Sequence, residues 1–420
     1  MNTRIDRRKL LIGAYNLADY ARTEAHVRDI KACGIDMIVC LQRPSKELLD
    51  LLQKYDIGCC AGGIVPGWWG GDGERAGKLG EINPTQKYIE AAAKFIDHPA
   101  VWMIDIGDEP SALDFDRYGE VVDLMRGLFP NQIPYLNLYP NYASVAENTD
   151  SQTLNQLGTV NYTEHIREYV EKVGLPYISY DFYVYPMGSA GLGMMYDNFN
   201  IVADACRRTG RDFWFIPQCN GRNEDDFTSV NQMRFQAYCA LAYGAVAINW
   251  ACWTKGWWCN NILDDDGNKT VQYEKLQKVN AELHAFSEEY MKYRNVNTHL
   301  IGFSTVPAVK DHPAITVKES VDLGFVREVR TEDGGALVVG EMADKDDPSS
   351  HALLILNATD YLDKAPAPKT VKFRSLTENV RITGGNLPDG LSIVPCRDGK
   401  SGFECSFVLD NCKAAMVEFN

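Results

Sequence analysis

The sequence predicts a (β/α)8 barrel over residues 1–295, followed by an antiparallel β-sandwich domain over residues 296–420. Three observations carry this. Short apolar, β-rich runs alternate eight times with helical runs between residue 10 and about residue 290, the arithmetic of one barrel. No GxGxxG follows the first run, and an open doubly wound sheet rarely reaches eight units. After residue 295 the helical period disappears and short alternating runs take over.

The barrel strands are expected at Leu10–Leu17, Ile35–Leu41, Ile57–Val65, Ala100–Gly107, Ile133–Tyr139, Pro176–Tyr183, Asp212–Cys219 and Ala245–Trp253. Of the intervening helices the second is the clearest. Leu48, Leu51, Leu52 and Tyr55 follow i, i+3, i+4, i+7, and Ser45 stands where an N-cap belongs. Gly34, Gly174 and Gly210 stand just before strands, as glycine does at helix ends. A helix over Tyr273–Phe286 closes the series. In the second domain the strand candidates are Ala336–Glu341, Ala352–Asn357, Lys369–Phe373, Phe403–Leu409 and Ala415–Phe419, with Asp333-Gly334-Gly335 as a hairpin turn.

Composition narrows the function classes. With 45% hydrophobic and 24% charged residues the 420-residue chain is ordinary for a soluble globular protein. Forty-two basic against 57 acidic residues give a net charge of −15, which repels phosphate backbones and argues against a nucleic-acid partner. No apolar run reaches the ~20 residues of a membrane span, so no membrane partner is expected. The twelve cysteines sit mostly in apolar runs without zinc spacing, which suits free thiols and a cytoplasmic location. Asp6-Arg7-Arg8-Lys9 has the look of a twin-arginine signal, but the apolar stretch Leu10–Ala14 is too short for one. The histidines lie in helices, turns or the second domain, and Asp264-Asp265-Asp266-Gly267 reads as a turn, so no metal or other cofactor is expected. The sequence leaves assembly open, a homo-oligomer included.

Barrel active sites lie at the C-terminal ends of the strands. Those ends carry Asn16, Gln42, Asp105 to Pro110, Asn137 to Tyr139, Ser179 to Tyr183, Gln218, and Trp250 to Trp253. Trp68 and Trp69 lie in the third βα loop, and Trp257 follows strand eight. Amides and carboxylates take hydroxyl hydrogen bonds, aromatic rings pack on the C–H face of a sugar, and phosphate-binding cations are scarce. The expected partner is therefore a small neutral carbohydrate. Its contacts would come from Asn16, Gln42, Trp68, Trp69, Asn137, Tyr139, Tyr183, Gln218, Trp250, Trp253 and Trp257. Glu109, next to Asp108, suits a general acid, because like charges disfavour double ionisation. Asp181 is the second carboxylate, placed where the strand continues through Phe182 to Tyr185.

The segments Gly107-Asp-Glu-Pro110, Asn137-Leu-Tyr-Pro140, Ser179-Tyr-Asp-Phe-Tyr183 and Gln236 to Gly244 resemble the barrel glycoside hydrolases related to clan A, as does Leu263 to Tyr273. The resemblance implies an O-glycosidase with Glu109 as the strand-four acid/base. It also implies a nucleophilic glutamate ending strand seven, where this sequence has Gln218. Glu224, six residues further on, could reach back. Three mechanisms stay open. Asp181 is the base of an inverting pair; or Asp108 orients an acetamido group that attacks its own anomeric carbon, as the adjacent Asp-Glu pair of N-acetylhexosaminidases implies; or Asp181 is itself a nucleophile. Inversion is preferred, because Asp181 then needs no particular sugar. The alternative from another class is a non-catalytic carbohydrate-binding barrel that has lost its nucleophile.

Overall fold

Strands β1 (Leu11–Tyr15), β2 (Met37–Gln42), β3 (Gly58–Gly62), β4 (Val101–Asp108), β5 (Ile133–Asn137), β6 (Tyr177–Asp181), β7 (Asp212–Ile216) and β8 (Ala245–Trp250) pair in parallel in the order β5-β4-β3-β2-β1-β8-β7-β6. The seam between β5 and β6 closes at Leu138, whose N–H donates to the Ser179 carbonyl at 2.9 Å. The sheet is therefore a (β/α)8 barrel. The computed structural model describes residues 4–63, 76–82, 86–143, 156–259, 261–384, 390–396 and 401–419. Most of the observed strands stop short of the apolar runs that mark them. Leu17, Tyr139, Tyr183, Cys219 and Trp253 are buried beneath βα loops rather than in the ladder, so hydrophobicity overstates strand length.

Around the strands stand α1 (Glu24–Ala32), α2 (Lys46–Lys54), α3 (Gln86–Ile96), α4 (Phe115–Leu128), α5 (Tyr162–Lys172), α6 (Gly188–Thr209), α7 (Val230–Ala242) and α8 (Val271–Tyr290). Ser45 caps α2, accepting from the Leu48 N–H at 3.2 Å, and Gly210 ends α6 with a left-handed φ of 67°. Helix α7 departs from the amphipathic pattern. Every residue from Met233 to Ala242 is buried, which happens when a helix is covered on both faces.

The second cover comes from the C-terminal domain. Its strands are β9 (Tyr293–Ile301), β10 (Val317–Lys318), β11 (Val326–Thr331), β12 (Leu337–Asp344), β13 (His351–Asn357), β14 (Lys369–Ser375), β15 (Val380–Gly384), β16 (Ser392–Pro395), β17 (Phe403–Leu409) and β18 (Ala414–Phe419). They form a six-stranded sheet, β10-β9-β12-β13-β18-β15, and a four-stranded sheet, β11-β14-β17-β16. Pairing is antiparallel except between β9 and β10. Val339, Leu353, Ile355, Val371, Phe373, Phe407 and Val417 fill the space between the sheets, giving the sandwich. On the other face of the six-stranded sheet, Val338, Leu354, Leu356 and Met416 join the barrel core. Burial on both faces explains why β13 reads as an unbroken apolar run. The stretch after residue 295 also holds a short helix, α9 (Pro307–Lys310), which the sequence reading did not expect; Pro307 starts it from the N1 position.

Candidate active site

Five strands direct their last residue into one cavity of about 490 Å³: Tyr15 of β1, Asp108 of β4, Asn137 of β5, Asp181 of β6 and Ile216 of β7. Glu109, Tyr142, Tyr183 and Trp257 complete its wall. In a regular strand Asp108 and Glu109 would face opposite ways. Both line the cavity because Glu109 adopts φ 45° while its N–H still bonds the Asn137 carbonyl at 2.9 Å. Asn16 (φ 68°) and Arg43 (φ 44°) turn the same way directly after β1 and β2. Such left-handed non-glycine residues are strained and cluster at functional sites. A bulge between Asp105 and Gly107 brings Asp105 and Asp108, three apart, to the interior together.

One chain of hydrogen bonds runs beneath the carboxylates. The Tyr15 and Tyr135 hydroxyls meet, Tyr135 pairs with Ser179 at 3.2 Å, and Ser179 Oγ donates to Asn137 Oδ1 at 3.1 Å. Asn137 Nδ2 then donates to Asp181 Oδ1 at 2.8 Å. The same amide hydrogen-bonds Asp108. One amide therefore ties the two carboxylates together. Ser179, by occupying the amide oxygen, fixes which end of Asn137 faces the acids.

Burial dominates the electrostatics. It pushes Asp108 up to about 6 from 3.8, against the Asn137 amide and the Glu109 backbone, which hold it down. Asp181 rises to about 7, first through burial and then through the charge of Asp108. Asp105, gripped by Gln42 Nε2 at 3.0 Å, is pushed up to about 7 by burial and by Asp108. Near neutral pH these acids are therefore partly protonated rather than each carrying a full charge. Among the described residues no Lys, Arg or His lines the cavity, and no three His, Cys, Asp or Glu side chains are arranged to hold a metal ion.

The rest of the wall is aromatic. Tyr183 packs against Trp258 at 4.5 Å and Trp257 at 6.0 Å between ring centres, and Trp257 lies 6.3 Å from Tyr15. Trp257 is 48% exposed, free to take a ligand ring on its face. Tyr142 stands in the loop after β5, which Asn141 braces by donating its N–H to Asn198 Oδ1 at 2.7 Å and its Nδ2 to Asp197 Oδ2 at 3.0 Å.

Of the residues nominated from sequence, the cavity brings together Asp108, Glu109, Asn137, Asp181, Tyr183 and Trp257. The others lie elsewhere. Gln42 bonds Asp105. Asn16 reaches Cys252 Sγ at 3.9 Å, and Tyr139 is buried. Gln218 stands two residues beyond β7 and spends its amide on the Tyr185 N–H and the Asn220 carbonyl, so Ile216 holds the strand-seven place in the wall. Trp250 turns outward to Asn280 Oδ1 at 2.8 Å, and Trp253 packs on Tyr273; both are fully buried. Glu224 is exposed on its loop. Trp68 and Trp69 fall outside the described residues. Tyr15, Ile216 and Tyr142 were missed. The first two become visible once strands one and seven are ended two to three residues earlier; Tyr142 carries no spacing signal.

No family model matches the chain, and no curated protein does. Among solved structures, a catalytic mutant of a GH42 beta-galactosidase from G. stearothermophilus aligns over 99% of this chain and 99% of its own, at 10% identity and a TM-score of 0.50. A beta-galactosidase from the Antarctic haloarchaeon Halorubrum lacusprofundi aligns over 66% of this chain at 13% identity and a TM-score of 0.46, and the match spans only 58% of that enzyme. A glycoside hydrolase family 5 mannosidase from Rhizomucor miehei aligns over 68% of this chain and 94% of its own, at 13% identity and a TM-score of 0.43. Identities this low speak of architecture alone, and the end-to-end match with the GH42 structure shows a shared plan of (β/α)8 barrel and C-terminal domain.

Proposed function

We propose that the protein is a glycoside hydrolase that cleaves the glycosidic bond of a small oligosaccharide or glycoside. The observation that carries this reading is the meeting of Asp108, Glu109 and Asp181 in one cavity walled by Tyr15, Tyr142, Tyr183 and Trp257. Proton-sharing carboxyls supply an acid, a base and a negative field for an oxocarbenium-like transition state, while the rings bind the sugar's C–H face.

In this reading Glu109 gives its proton to the leaving oxygen as the bond from C1 breaks. Water adds to C1 from the opposite face, and its proton passes to Asp181. Strands β4 and β6 are next-nearest neighbours, ~9–10 Å apart at the backbone, which leaves room for that water. Asp108 and Asp181 meet at the one Asn137 amide and influence each other's protonation as one unit. That shared unit also favours a second reading, in which it orients the acetamido group of an N-acetyl sugar whose oxygen attacks C1.

A panel of nitrophenyl glycosides, N-acetylhexosaminides included, followed by proton NMR of the first product formed, tests both. Inversion supports Asp181 as base. Retention confined to N-acetyl substrates supports the second reading. Retention on a sugar without an acetamido group overturns both in favour of Asp181 as nucleophile. Saturable sugar binding with no turnover of any glycoside overturns hydrolysis and leaves a binding barrel.

A further inference from the structure

At the opposite end of the barrel, where β7 and β8 begin, a cavity of about 440 Å³ opens between the barrel and the second domain. A neighbouring cavity of about 320 Å³ shares Asp212, Val246 and Lys345 with it. Arg207, Arg211, Arg294 and Lys345 line the first, and Arg7 and Lys9 the second. Among the described residues Asp212 is the single carboxylate in either wall. Six cations facing one acid is an excess of five positive charges, on a chain whose net charge is −15.

The neighbours of these cations leave that excess largely standing. Arg7 pairs with Asp212 at 2.9 Å. Arg211 spends Nε and Nη2 on the Leu175 and Val170 carbonyls, both at 2.9 Å, which are neutral acceptors. Arg207 bonds Asn295 Oδ1 at 2.8 Å and has its carboxylate, Asp204, only at 3.9 Å. Lys345 Nζ donates to the Met291 carbonyl at 2.6 Å, with Asp212 acting on it across the cavity and Asp344 and Asp346 from its own turn. Burial holds both Arg207 and Lys345 below their usual pKa, the direction taken by cations that have lost water without gaining enough counter-charge. Arg294 is exposed and, among the described residues, has no carboxylate within ion-pair distance. Tyr243, Tyr290 and Tyr293 line the same space.

We propose that this interdomain cavity binds a small organic phosphate or sulfate ester, its oxyanion held by Arg207, Arg294 and Lys345 and its carbon skeleton laid against Tyr243 and Tyr293. Guanidinium groups match tetrahedral oxyanions through paired N–H donors. The volume lies in the range of small-ligand sites. The site is independent of the sugar chemistry at the other end of the barrel.

Calorimetry and thermal melting of the full chain test it, with inorganic phosphate, inorganic sulfate, glucose 6-phosphate and glucose 6-sulfate as probes and acetate at equal ionic strength as control. Saturable binding of at least one ester, tighter than its inorganic ion and absent with acetate, is expected. A preference between the two esters identifies which of them the site takes. Arg294→Ala, exposed and outside the packed core, should fold normally and weaken the ester about tenfold, the loss of one charged donor. Lys345→Met should do the same. The proposal is overturned if no probe gives a saturable response, or if Arg294→Ala and Lys345→Met bind as tightly as the parent.

Discussion

Asn137 donates from one amide nitrogen toward two acids, and the Ser179 hydroxyl on its oxygen keeps it from turning round. Its neighbours divide the work by environment. Glu109→Gln should lower kcat by ~10²–10⁴ on a substrate with a poor leaving group, and by less on a nitrophenyl glycoside that needs little protonation. Steady-state rates on the two substrates check this. Asp181 bears on stability as well. Its pKa is raised from 3.8 to about 7, so the folded protein holds a proton that the unfolded chain has released between those values. Stability therefore falls as pH rises through that window. Asp181→Asn should raise stability above pH 7 by on the order of 1–3 kcal/mol while abolishing turnover, and the gain should vanish near pH 4. Denaturant melts at pH 4 and pH 8 measure it. The carboxylates were legible in the sequence because each ends an apolar run. Ile216 was not, because that run carries on past the ladder to Cys219, and Tyr142 was not, because a loop has no period.

The elements that aim these side chains are short irregularities. A bulge in β4 turns Asp105 and Asp108 to the interior and a left-handed residue after it brings Glu109 into the cavity beside Asp108, and no hydrophobic pattern announces either. Alternation did announce the eight strands themselves, since a parallel strand buried on both faces must be apolar throughout. Helix α7 was expected only as one of the alternating helical runs, and its double cover was not legible. At its start Ser229 accepts from the Gln232 N–H at 3.1 Å and donates to Asp363 Oδ2 of the second domain at 2.6 Å. Ser229→Ala removes a cap and an interdomain bond together. It should cost about 1–2 kcal/mol, read as a lower melting temperature with the sugar site unaltered.

Across the whole molecule the two domains share one apolar core. Phe235 of α7 packs at a tilt on Tyr361, 5.5 Å between ring centres, Tyr185 Oη donates to the Tyr361 carbonyl at 3.2 Å, and Arg234 and Lys413 converge on Glu282. A chain cut after residue 292 would uncover α7 along its length. It should aggregate, which light scattering after refolding will show, because an exposed apolar face of that size does not stay in water. A truncated barrel that remains soluble and monomeric would show the second domain to be dispensable for packing. The sequence marks where the texture changes but not this dependence, which lies in contacts between segments roughly 100 residues apart.

That separation has a cost during synthesis. Helix α7 leaves the ribosome roughly 100 residues before β12 and β13 exist to cover it. At ~5–20 residues per second the wait is on the order of 5–20 s, far longer than a helix needs to form. For that time the nascent chain displays a finished apolar helix with one side unclaimed, the kind of surface that chaperones bind. Slowing translation after residue 242 should lower the soluble yield even though the encoded protein is unchanged.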